Sequence, residues 1–179
     1  FIAPGRHLPA GEPLVVGTVF FVHGERNPRA LQREVDALIR REGLMPLGWR
    51  LVPTDPSVLG ARAQADVPGI YQVFIGRGHR LDSQLAKELC DVRRRIEDAL
   101  AGQVGVPSLQ PHTVVYKALA TGSQLRGFYP DLADPELRTR VVLGHRRFST
   151  NTFSNWHLVQ PFRVLAHNGE INTIRANTR

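Results

Sequence analysis

Apolar and polar positions follow two rhythms along this chain. Leu14 to Val22, Leu47 to Val52 and Ile70 to Ile75 are short runs rich in Val, Leu, Ile and Phe, and each predicts a buried strand. A helical period separates the first two. Leu31, Val35, Leu38 and Ile39 make one apolar stripe, Asn27 stands at the N-cap position with Pro28 behind it, and Gly43 ends the run. A second helix is predicted from about Asp82 to Leu100, where Leu85, Leu89, Val92, Ile96 and Leu100 keep helical spacing before Gly102. The β-branched stretch Thr113 to Leu119 predicts another strand, while Phe1 to Pro13, the stretch from Pro53 through Pro68, and Gly102 to Pro111 read as loops from their Gly and Pro. Ser123 to Gly127 suggests one helical turn, and Asp134-Pro135-Glu136 opens a short helix. Two further apolar runs, Val141 to Gly144 and Phe162 to Ala166, predict short strands flanking a polar segment. The pattern is that of a mixed α and β domain.

Composition narrows the class. A chain of 179 residues with 42% hydrophobic residues can bury one core, so disorder is not expected. Of the 23 basic residues only Lys87 and Lys117 are lysines, and the net charge is +7. These charges are spread among acids without a nucleic-acid motif, so they read as solvated helix faces; a basic RNA-binding module is the non-enzymatic alternative. The Arg93-Arg94-Arg95 run belongs to the second helix, where at least two must face away from the stripe. The single cysteine, Cys90, sits beside that stripe as a part-buried structural thiol, which suits a reducing, cytoplasmic setting. No apolar run reaches membrane-spanning length, and neither a phosphate loop nor metal-ligand spacing is present.

Chemistry concentrates between His145 and Thr173, HRRFSTNTFSNWHLVQPFRVLAHNGEINT. On a strand Arg147 and Ser149 would face one side, Phe148 and Thr150 the other. The Arg147 guanidinium is a planar fork suited to a carboxylate, though an isolated arginine is more often a solvated surface charge. Asn168-Gly169 is a strong turn signal; it is also a pair of donors, a side-chain amide and a main-chain N–H, able to converge on an oxyanion. The residues alone leave both readings open. His145 and His167 each precede a motif and are taken as supporting hydrogen-bond partners.

Together, RFSTNT (147–152), QPF (160–162) and AHNGEINT (166–173) resemble the glutaminase domain of glutamate synthase, one of the N-terminal-nucleophile glutamine amidotransferases. VFIGR (73–77), TVVYK (113–117) and FYPDL (128–132) are similar to the same family, in the same order. The resemblance implies that Arg147 grips the glutamine α-carboxylate with Thr150 beside the pocket, and that Asn168 and Gly169 form the oxyanion hole. It implies an α+β fold, a four-layer αββα sandwich of antiparallel sheets, present here incompletely. It also implies L-glutamine as substrate and, for the full-length enzyme, ammonia delivered to 2-oxoglutarate, FMN, an iron–sulfur cluster, and ferredoxin or a small electron-transfer subunit as partner. No metal or cofactor site, nucleic-acid partner or membrane partner is expected in these residues.

One departure stands out. The family attacks glutamine with a cysteine that is the first residue of the mature chain, whereas Phe1 begins this sequence and Cys90 falls within a predicted helix. Residues 1–179 are therefore expected to be part of one such domain, truncated at both ends, and inactive alone. Another amidotransferase, feeding purine or amino-sugar synthesis, shares the shorter motifs.

Overall fold

The computed structural model describes residues 14–22, 27–145 and Trp156. They fall into two compact units: residues 14–22, 27–52 and 68–117 form the first, and 53–67, 118–145 and Trp156 the second.

The first unit runs β1 (Leu14–Phe21), α1 (Pro28–Arg41), β2 (Met45–Leu51), β3 (Gly69–Gly76), α3 (Asp82–Ala99), β4 (Val104–Gln110). The sheet order is β2-β3-β1-β4 and every pair is antiparallel. Each helix thus crosses from a strand to one two places away, the split βαβ arrangement repeated twice. Strand alternation sorts the sheet into two faces. Val15, Val19 and Phe21 of β1, Val73 and Ile75 of β3, and Val104, Val106 and Leu109 of β4 meet Leu31, Val35 and Ile39 of α1 and Leu85, Leu89, Val92 and Ile96 of α3. Both helices therefore cover one face. Gly17 belongs to that face because a Cβ there would lie 2.5 Å from Leu109 Cδ1.

The other face is also buried, but it carries a polar row. Thr18 stands opposite Gln72 on one side and Ser108 on the other, all three buried, and Arg50 Nη1 donates to Gln72 Oε1 at 2.9 Å. The chain after β4 returns near this row, since Val115 N–H donates to Ser108 Oγ at 3.3 Å.

α1 starts and stops as its sequence predicts. The Asn27 side chain accepts from Arg29 N–H at 2.9 Å, Pro28 fills the first turn, and Gly43 takes φ of 72° just past the C-cap. Gly102 does the same after α3, with φ of 74°.

Several expectations are corrected. β4 occupies residues predicted as loop: Pro107 lacks an N–H, but among the described residues β4 is an edge strand and the β1–β4 register shifts in this region, so the proline is accommodated. Thr113 to Leu119 is not a strand, and the Val115 N–H is taken by the Ser108 side chain. Asp134 to Glu136 is a single turn, with Asp134 Oδ1 accepting from Glu136 N–H at 2.8 Å. Val141 to Gly144 is neither strand nor buried: Val141, Val142 and Leu143 are 79%, 81% and 69% exposed. Apolar content makes a strand only where a partner completes the ladder; here the Thr139 hydroxyl bonds both the N–H and the C=O of Val141. The predicted strand Phe162 to Ala166 lies outside the described residues.

In the second unit the linker after β2 holds a 3-10 turn (Pro56–Val58), capped by Asp55 Oδ1, and a short α2 (Ala61–Ala65). The predicted turn near Ser123 appears as α4 (Leu125–Phe128), followed by a 3-10 turn (Pro130–Ala133).

Candidate active site

Arg147, Thr150, Asn168 and Gly169 lie outside the described residues, as does His167. The segment leading to them is described. From Ala133 to His145 every residue is exposed. The next described residue, Trp156, is 2% exposed and sits between the two motifs in sequence.

Its partner explains that burial. The Trp156 ring is tilted at 42° against Phe128 with centroids 5.7 Å apart, and Phe128 meets Tyr129 edge-on at 4.6 Å. Phe128 and Tyr129 come from the FYPDL motif and are fully buried. The local chain holds them firmly. Phe128 N–H donates to Gln124 O, Asp55 N–H donates to Phe128 O at 2.9 Å, and Gln124 Nε2 donates to Val58 O at 2.6 Å. Gly127 passes close to the same linker, where a Cβ would make an ordinary contact with Val58 at 3.4 Å.

TVVYK, the motif that ends the first unit, contributes one unusual group. Lys117 is 5% exposed, and burial pulls its pKa down to about 7. Sequence reasoning gave neither Trp156 nor Lys117 a role. The available signals were a tryptophan, one of two in the sequence, between the two motifs and one of only two lysines in an arginine-rich chain.

Elsewhere in the first unit, charges cluster where β3, α3 and β4 end or begin. Asp82 pairs with Arg77, and His112 Nε2 lies 2.9 Å from Asp82 Oδ2. The hydrogen bond from His112, together with the Arg77 guanidinium, holds the Asp82 carboxyl below its usual range. Arg80 reaches Gly43 O at 2.7 Å and Glu88 at 2.7 Å, fastening the end of α1 to α3. Arg94 and Arg95 are exposed, and Arg93 pairs with Glu97. Cys90 is part-buried on α3, as its position beside the stripe predicts. Among the described residues no group of three His, Cys, Asp or Glu side chains is placed to hold a metal, and no helix is long and apolar enough to cross a membrane.

The sequence matches the family described as glutamine amidotransferases class-II over residues 2–179. The chain belongs to the class-II glutamine amidotransferases. Among curated relatives of this amidotransferase chain are the large chain of NADPH glutamate synthase from Bacillus subtilis, 40% identical over 176 residues and 96% of this chain, and that of Azospirillum brasilense, 38% identical over 177 residues and likewise 96%. A ferredoxin-dependent glutamate synthase of Arabidopsis thaliana is 37% identical over 169 residues, 90% of this chain. The chain spans only 12%, 12% and 10% of these relatives' lengths. Membership in the amidotransferase family agrees with the resemblance carried by RFSTNT and AHNGEINT, and the antiparallel sheet with its helices is the α+β class that resemblance implied.

Proposed function

We propose that these residues are part of the glutaminase domain of a glutamate synthase large chain, releasing ammonia from L-glutamine for transfer to 2-oxoglutarate. The observation carrying this reading is the family match across residues 2–179 joined to relatives that are glutamate synthases. In the proposed reaction a cysteine thiolate of the longer protein attacks the glutamine carboxamide carbon. The carbonyl electron pair moves onto oxygen, and the Asn168 amide and Gly169 N–H stabilise that oxyanion. Collapse expels protonated nitrogen as ammonia and leaves a thioester, which water hydrolyses to glutamate and free thiol. Arg147 fixes the substrate by its α-carboxylate, and Thr150 lies beside it.

Residues 1–179 then form part of one domain with the four-layer αββα arrangement, in a protein expected in the cytoplasm and served by ferredoxin or a small electron-transfer subunit. FMN and an iron–sulfur cluster belong to the rest of that protein. With one cysteine in the sequence, this chain cannot supply the four thiolates such a cluster takes.

The test is kinetic, in the full-length enzyme. Asn168→Ala is expected to lower kcat for glutamine by about 100- to 1,000-fold with binding retained. Arg147→Lys should chiefly raise KM, because an ammonium loses the bidentate fork. A kinetically silent Asn168→Ala would reduce that residue to a turn former and remove the proposal.

A further inference from the structure

We infer that the polar row formed by Arg50, Gln72, Thr18 and Ser108 is a register lock, which fixes where the pairing of both edge strands shifts. One residue comes from each strand of the sheet, and each is the direct partner of the next: Arg50 of Gln72, Gln72 of Thr18, Thr18 of Ser108. Apolar pairs flank the row, Phe20 with Ile70 on one side and Val16 with Phe74 on the other. Both outer ladders run in two registers. Phe20 and Phe21 pair with Gly105 and Val104, whereas Thr18, Gly17 and Val16 pair with Ser108, Leu109 and Gln110, one residue out of step. β2 shifts in the same way on β3, between Pro46 and Gly48.

Either ladder could instead have kept its first register throughout. If the Phe20–Gly105 register continued, Thr18 would face Pro107, Ser108 would turn with Gly17 to the helix-covered face, and Leu109 would leave the core for the other face. If the Met45–Gly76 register continued, Trp49 would face Gln72, and Arg50 would turn with Tyr71 toward the helices. Each slip unmakes a hydrogen bond at the row: Gln72 Oε1 loses Arg50 Nη1, or Val115 N–H loses Ser108 Oγ. An unmade buried bond is the penalty that rejects the slip.

Thr18 separates this role from plain stability. It is 3% exposed, and its hydroxyl has no hydrogen-bond partner among the described residues. A valine there would keep the shape without an unmet polar group, yet would accept Pro107 as readily as Ser108. The hydroxyl therefore selects a register at the expense of stability.

Disulfide mapping in the full-length protein reads the register. Val16→Cys with Gln110→Cys reports the native pairing and Val16→Cys with Leu109→Cys the slipped one, since only direct partners on one face come within bonding distance. With the row intact, the first pair should close and the second stay open. Adding Thr18→Val and Ser108→Val should raise the slipped disulfide by about tenfold or more, the preference carried by one buried hydrogen bond. On β2, Leu51→Cys with Ile70→Cys should gain likewise once Gln72→Leu is added. Thr18→Val alone, without a reporter pair, should leave hydrogen-exchange protection of Leu14 to Phe21 equal or higher. Should Thr18→Val with Ser108→Val not fold, Thr18→Val with the same reporters carries the comparison. A slipped disulfide that does not rise at an edge overturns the lock at that edge, and lower protection in Thr18→Val overturns it at both.

Discussion

Lys117 shows how one buried group makes the molecule respond to pH. Its ammonium titrates near 7 in the folded chain and near 10.5 when unfolded. Below pH 7 both states carry the charge and the folded one bears the full cost of burying it. Between pH 7 and 10.5 the unfolded chain binds more protons, so stability rises with pH through that window and levels off above it. Urea midpoints measured from pH 6 to 10 should climb, by an amount on the order of a few kcal/mol, and Lys117→Met should flatten the slope. A wild-type profile no steeper than that of the variant would mean the folded lysine is solvated. Asp82 slopes the same way at lower pH: its lowered carboxyl pKa adds stability that is present above the ordinary carboxylate range and lost as pH falls through the folded value.

At the scale of elements, α3 carries most weight. Leu85, Leu89, Val92 and Ile96 are all buried against the sheet, and the helix is tied to α1 by Arg80 and by Arg95 to Glu42 at 2.8 Å. Leu89→Ala should cost about 2 to 5 kcal/mol in chemical denaturation, whereas Arg95→Ala, breaking a largely exposed pair, should cost under about 1 kcal/mol. Comparable losses would mean that α3 is held by its charges. Both long helices were legible in the sequence because cap, period and stop agree: Asn27, the Leu31-Val35-Ile39 stripe and Gly43 each say the same thing. Strands were less so. Gly105 and Pro107 look like loop punctuation, yet on an edge strand with a register shift they cost little. Val141 to Leu143 has strand composition and no ladder, because composition cannot supply a partner. The proposed chemistry of the site rests on residue types alone, a fork and two donors, since those depend on functional groups rather than on packing. The burial of Trp156 was not legible, because it depends on contact with Phe128, whose place beside it no local pattern encodes.

For the molecule as a whole, the sheet sets a hierarchy of stability. Among the described residues β1 and β3 are paired on both sides, while β2 and β4 are edges guarded by a proline or a register shift. Amide hydrogen exchange should be slowest in Val15 to Phe21 and Ile70 to Ile75, and faster in β2, because opening an edge breaks one ladder instead of two. Equal protection across β2 and β1 would point to another strand covering the β2 edge.

The same order has a cost in time. Phe21 pairs with Gly69 on one side and with Val104 on the other, so β1 waits for β4, the last strand of this sheet among the described residues. At about 5 to 20 residues per second, the intervening residues take about 4 to 17 s to emerge from a ribosome. Throughout that interval at least one edge of LVVGTVFF stays unpaired on the nascent chain, since β3 can claim only the other. The exposed interval in making this sheet should therefore be the wait of β1 for its second flanking partner.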